Sequence, residues 1–400
     1  MKRALLTLLL VSAAGCSDGQ GSAPAPTEAG PAPLAMPGNP AATTTPGVSM
    51  PGGVTPITSV SAAAARVYLG KVVQPVVGRV LSADERARVD AEAGGAIAPI
   101  VSSWVGEPGF VRSVRRFLEI GLQVSGQKSD VDFDLPGNLV EHVIVNGKPW
   151  SEILTSQACY DAQLVPRPCD TGAPFAAGVL ATRAYLIARA SRFNLTRSSA
   201  LMKNFACQVY PQEETLQPRI QKTRLIPMFQ AETPEQQPDE RAKSGFGNGF
   251  ACYGCHGQFS LHAQLFVKFD SVGRYIASAD GQQDPQGELG RSLNGLMASH
   301  LNSPLEAASE RSNMFGQEVA NLAEAARVIA TQSTFVPCAA RRFLDFVLAV
   351  PFDTIEYQPA LFEQVAASAG PDPRFAQIAQ ALLTHPVVIQ SIATSLGAAP

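Results

Sequence analysis

One five-residue segment limits what this chain can fold into more than any other. Cys252 and Cys255 are spaced C-x-x-C and followed at once by His256, in the stretch Ala-Cys-Tyr-Gly-Cys-His-Gly. Two thiols at that spacing with an adjacent imidazole form the attachment signature of a c-type haem. The thiols add across the two porphyrin vinyl groups, and the imidazole is then held over the iron as its proximal ligand. A zinc ribbon would need a second ligand pair, and no other C-x-x-C occurs in the chain. A thioredoxin-like redox pair would sit at a strand–helix junction in a βαβ setting, which the pattern lacks.

Covalent haem is added outside the cytoplasm, so the N-terminus is a test. It begins Met-Lys-Arg, runs mostly apolar from residue 4 to 11, and turns small through Ser12-Ala13-Ala14-Gly15 to Cys16. That is a charged n-region, a short h-region and a small-residue cleavage site over residues 1–15. The apolar run is too short to stay in a bilayer as a spanning helix. Cys16 after Ala-Ala-Gly resembles a bacterial lipobox, although Ala13 stands where such boxes usually carry Leu. Cys16 is therefore the expected lipidation site, with ordinary signal cleavage as the alternative. Several acyl chains on Cys16 would hold the protein stably on a membrane. Residues 16–58 are dominated by Pro, Ala, Gly, Thr and Ser without an aromatic residue. Such a segment cannot bury enough apolar area to order itself, and its prolines make it a semi-stiff tether.

The cysteine count agrees with export. Of seven cysteines, one goes to lipid and two to haem, leaving Cys159, Cys169, Cys207 and Cys338. An even remainder in an exported chain points to disulfides. Cys159 and Cys169 bracket a short Pro-containing loop and are paired here, which leaves Cys207 with Cys338. The alternative for the latter two is a pair of buried free thiols in apolar helical sequence.

Charge excludes one class of partner. With a net charge of −3 and only 16 % charged residues, no basic surface for nucleic acid is implied. The remaining chain is long enough for two domains, a helical one over 59–235 and a haem domain over 236–400. Strand signals are weak and the expected class is mainly α. Valines recur at helical steps over 67–80, with Pro75 expected to split or kink the run. Ser82 and Glu85 form a capping box. Pro108 suits a helix start, and Phe110, Val114, Phe117, Leu118 and Leu122 then line one stripe. Arg112, Arg115 and Arg116 read as a solvated face. Further helices are expected over 139–145, 178–192, 198–210, 318–332 and 334–348, with a pair over 373–396. Residues 211–247 read as a polar linker.

The run from Cys252 to Tyr275, Cys-Tyr-Gly-Cys-His-Gly-Gln-Phe-Ser-Leu-His-Ala-Gln-Leu-Phe-Val-Lys-Phe-Asp-Ser-Val-Gly-Arg-Tyr, resembles the haem module of the planctomycete-type cytochrome c-like proteins. These are exported bacterial proteins, also frequent in myxobacteria, whose haem motif leads at the same spacing into Phe-Asp-x-x-Gly-Arg-Tyr. The segment from Phe335 through Cys338 to Leu348 resembles their closing helix. Asn146-Gly-Lys-Pro-Trp150, the stretch 178–182 and the stretch 197–207 are similar to the helical modules that precede the haem. The chain departs from the family at 259–263, where Phe259-Ser-Leu-His-Ala replaces the usual Met-Asp-Pro-x-Gly. The distal ligand is therefore not carried over.

That ligand decides function, because methionine gives a closed electron-transfer iron and an open position permits chemistry on small molecules. Met314, in Arg-Ser-Asn-Met-Phe-Gly before a helix, is the first candidate, Met297 the runner-up and His300 the third. His262 lies six residues past His256, about 240° around a helix, and should face elsewhere. Arg274 and Tyr275 are candidates for hydrogen bonds to a haem propionate. The expectation is a membrane-tethered monohaem c-type cytochrome passing electrons to a redox partner protein outside the cytoplasm, an electron carrier rather than a catalyst. Two alternatives stay open. One is a peroxidase- or oxidase-like haem enzyme with an open iron site. The other is a structural lipoprotein without haem, in which Cys252 and Cys255 form a disulfide.

Overall fold

The computed structural model describes residues 57–128, 130–210, 220–236, 253–281, 298–351 and 358–398. Cys16, residues 17–56 of the expected tether, Cys252 and Met297 lie outside the described residues, and the last two tether residues enter a 3₁₀ turn over Ile57–Ser59.

The described chain is mainly α, with strands confined to three short hairpins. In α1 (Ala62–Val77), Ser61 caps the first turn by accepting from the Ala64 amide. Tyr68, Leu69, Val72, Val73 and Val76 face inward. Pro75 does not split this helix. It sits in the last turn, where losing one backbone bond matters little, and Gly78 ends the helix in the left-handed region at φ 77°. In α2 (Ala83–Glu92), the expected capping box between Ser82 and Glu85 is formed. After α3 (Ile97–Trp104), α4 (Pro108–Leu122) buries the whole expected stripe. Its start lies so close to the end of α1 that a Cβ on Gly109 would be 2.0 Å from the Val77 carbonyl oxygen.

The arginine face of α4 divides. Arg112 and Arg116 are exposed as expected, but Arg115 is half-buried. Its guanidinium donates to Glu119 at 2.8 Å, to Glu141 at 2.9 Å and to the Asn138 amide oxygen at 2.9 Å. It thus ties α4 to α5 (Leu135–Val145), the next helix after the hairpin β1 (Gln127–Lys128) and β2 (Val131–Asp132).

The middle of the chain is more broken than expected. After α6 (Glu152–Thr155) comes the hairpin β3 (Cys159–Tyr160) and β4 (Pro166–Arg167), closed by the Cys159–Cys169 disulfide. The helix expected over 178–192 is a 3₁₀ turn followed by α7 (Arg183–Ala188), because the Thr182 hydroxyl accepts from the Tyr185 amide and restarts the helix. The one expected over 198–210 is α8 (Leu195–Phe205). It stops before Cys207, whose positive φ of 51° turns the chain into a disulfide with Cys338 across 131 residues. Both pairings expected from the cysteine count are present. The free-thiol alternative is set aside.

Beyond α9 (Pro227–Gln230) lies α10 (Tyr253–Gln264), then α11 (Pro304–Ala307) and the hairpin β5 (Ser312–Met314) and β6 (Gln317–Val319). That hairpin takes the first residues of the helix expected over 318–332. Helix α12 (Leu322–Ala330) begins only where the Asn321 side chain caps the Ala323 and Glu324 amides. Then come α13 (Phe335–Leu348), α14 (Pro359–Ala369), α15 (Phe375–Leu383) and α16 (Pro386–Ser395).

One large apolar core runs from Val60 to Ala393 and draws on both sides of the boundary expected near residue 235. Phe375 of α15 packs on Phe117 of α4 at 5.8 Å and on Phe343 of α13 at 5.1 Å between ring centroids. The buried Tyr68 hydroxyl of α1 donates to the Leu383 carbonyl at 2.6 Å. The first and last helices are therefore packed into a single interior. A second, smaller cluster gathers Phe193, Ile220, Leu225, Phe229, Ala298 and Leu301. It takes part of its apolar surface from residues 220–236, in the stretch that reads as polar linker.

Candidate haem site

Helix α10 carries Cys255 and His256 in its first turn. His256 is buried at 8 % exposure, and its Nδ1 lies 2.9 Å from Nε2 of His300, itself 1 % exposed. Two phenyl rings bracket the imidazole pair. Phe229 is 4.7 Å from His256, and Phe193 is 4.8 Å from His300, centroid to centroid. Burying two imidazoles among apolar rings is unfavourable unless each has a hydrogen-bond partner, and here they supply one another.

His300 is fixed in place by its flanks. Its carbonyl accepts from the Ile226 amide at 2.8 Å, and Leu225 and Leu301 form an isolated β-bridge. The neighbouring Ser299 hydroxyl donates to Gln264 Oε1 at 2.7 Å. The Gln264 amide group in turn donates to the carbonyls of Glu306, Ala307 and Ser309. So the last residue of α10 staples the segment that brings His300 against the first turn of the same helix. Sequence reasoning ranks His300 third and does not find Gln264, Ser299, Phe193 or Phe229. The available signal is that three of the five histidines fall between 256 and 300.

The turn after α10 is an anchor. Asp270 Oδ1 accepts from the amides of Val272 and Arg274, and Gly273 takes a positive φ of 73° against the Arg183 backbone. A Cβ there would be 2.9 Å from Arg183 Cα, which explains the glycine in Phe-Asp-x-x-Gly-Arg-Tyr. Arg183 donates to the Val272 carbonyl at 2.8 Å. Arg197 on α8 is wholly buried and donates to the carbonyls of Leu186, Phe269 and Asp270 and to Asn194 Oδ1. Burial pulls its pKa down to about 10, so it stays charged at neutral pH.

The other candidate residues fall in different places. His262 faces away from the pair, with Nδ1 2.5 Å from the Tyr210 hydroxyl. Met314 is fully buried in β5 within the larger core, not among the side chains around His256. The Arg274 side chain is 61 % exposed and 3.7 Å from Asp130. The Tyr275 hydroxyl donates to Glu310 at 2.9 Å, and burial together with that carboxylate pushes its pKa up to about 12.

Among the described residues no group of three or more His, Cys, Asp or Glu could hold a bare metal ion. A porphyrin supplies its own equatorial ligands, so its iron asks the protein only for axial ones. The described residues offer one such donor, the His256 imidazole. A buried imidazole follows a motif cysteine in one helical turn, its Nδ1 engaged, in an aromatic enclosure. No helix among the described residues is long and apolar enough to cross a membrane. No protein-family model, curated protein or solved structure matches the chain.

Proposed function

We propose that the protein is a monohaem c-type cytochrome, tethered to a membrane through Cys16, that transfers electrons outside the cytoplasm. The observation that carries this reading is the C-x-x-C-H motif, whose Cys255 and His256 lie in the first turn of a helix, with the histidine buried among phenyl rings. Cys252 and Cys255 would hold the porphyrin through thioethers, and His256 would ligate the iron. A bound haem supplies a one-electron carrier. Phe193 and Phe229 keep water from the imidazole and hold its ring plane. Residues 16–58 let the folded part reach a redox partner while anchored. Cytochrome c-like packing of the segment after residue 236 belongs to the same proposal.

The test is expression of the full chain with a c-type haem maturation system, followed by a pyridine haemochrome spectrum and intact mass. One covalent haem is expected, and Cys252→Ser with Cys255→Ser should abolish it. A bare processed chain would overturn the reading. A five-coordinate, high-spin ferric iron that turns over peroxide would move it to the enzyme class.

A further inference from the structure

We infer that His300 is the positioning partner of the proximal histidine rather than the iron's second axial ligand. The inference rests on the haem reading above and concerns what the chain does with that site. The atom of His256 that meets His300 is Nδ1, at 2.9 Å from His300 Nε2. An imidazole bound to iron through Nε2 keeps its proton on Nδ1, so that nitrogen needs an acceptor. His300 Nε2 stands at hydrogen-bond distance from it without any rearrangement. Service as a second axial ligand would demand more. With iron on His256 Nε2, a second ligand would have to reach the metal from beyond that nitrogen, so the contact His300 makes at Nδ1 would have to part.

The surroundings resist that parting. The backbone of His300 is bonded to Ile226, and Ser299 is bonded to Gln264 on the helix that bears His256. Phe193 and Phe229 pack against both imidazoles. One helix thus holds the ligand at its start and, through Gln264 at its end, the group that orients the ligand. An acceptor on Nδ1 raises the basicity of the ligand and favours ferric iron, so it lowers the reduction potential.

The experiment uses the full haem-loaded chain and its His300→Leu and His300→Gln variants, with redox titration, resonance Raman of the ferrous iron–histidine stretch, and near-infrared spectra. Leu removes the acceptor, whereas Gln returns an oxygen near the position of Nε2. Expected are a more positive potential and a lower iron–histidine stretching frequency in the Leu variant, with coordination number and spin state as in the parent. Recovery toward the parent is expected in the Gln variant. A bis-imidazole near-infrared signature in the unsubstituted protein would overturn the inference even if the Leu variant fails to mature. So would conversion of the Leu variant from six- to five-coordinate iron, or a potential indifferent to both substitutions. A parent chain without covalent haem would mark failure of the underlying reading instead.

Discussion

The two clusters of buried side chains are built from different materials. The larger joins aliphatic helices from both ends of the chain around Phe117, Phe343 and Phe375. The smaller gathers six buried apolar residues, two of which, Phe193 and Phe229, pack on a pair of facing imidazoles. Ordinary hydrophobic burial explains the first. It does not explain the second, since apolar groups of the same shape could replace a buried hydrogen-bonded pair at little cost in stability. The larger cluster therefore accounts for the fold and the smaller one for a local geometry. Substitutions should separate the two roles.

The largest effect should come from opening the Cys207–Cys338 link. It closes 131 residues of chain, and loop-closure entropy for such a length is worth about 4–5 kcal/mol. Serine at both positions should lower the urea midpoint by a corresponding amount. A change under about 1 kcal/mol would mean that α8 and α13 are held by packing alone. Next, Phe375→Ala should cost about 3–5 kcal/mol, because the ring is fully buried against Phe110, Phe117, Trp150 and Phe343. Phe229→Ala removes a ring of equal size from the smaller cluster. On the proposed haem reading, its expected signature is an altered haem spectrum with a smaller loss of stability. Equal losses in denaturation, with an unchanged spectrum, would erase the distinction between the clusters.

Arg197→Met tests the seam between them. Three carbonyls and the Asn194 side chain would lose their donor, while the methionine still fills most of the volume. Buried acceptors left unpaired cost about 1–3 kcal/mol each before relaxation, and a total of about 2–4 kcal/mol is expected. Hydrogen exchange should quicken in residues 269–275 before it does in α1 or α15. Uniform quickening would show that the turn is no separate unit.

The parts legible in the sequence are those governed by short spacing or by the cysteine count. The stripe of α4, the Ser82 capping box, both disulfides and the mainly α class follow from periodicity, cap chemistry or parity. Long-range packing was not legible. Nothing local tells α15 that it will meet α4, so a boundary near 235 looked natural although the larger core crosses it. Arg115 looked like one of three solvated arginines because its carboxylates, apart from Glu119, come from beyond its own helix. His300 was outranked by Met314 for the same reason. A loop methionine before a helix carries a local pattern, whereas the contact between His256 and His300 depends on Gln264 and Ser299 folding 44 residues of chain back on itself.

The smallest expected effect lies at the rim of the larger core. Arg79 donates to both Glu85 and Glu107, and the Trp104 indole N–H donates to Glu85 at 2.6 Å. The Arg79 guanidinium, helped by donors from Ser82 and Trp104, holds the Glu85 carboxyl down at about 2, against an ordinary value of 4.5. Its folded pKa is depressed, so its contribution is complete above about 4.5 and is lost as pH falls toward about 2, where the folded state must also take up the proton. Glu85→Gln should therefore cost about 1 kcal/mol at neutral pH, since the ion pair lies near the surface. The gap to the parent protein should close between pH 4.5 and about 2, as read from urea midpoints across that range. A gap that stays constant into acid would assign the loss to packing around Trp104 rather than to charge. The rim would then differ from the buried core only in polarity, with no pH dependence of its own.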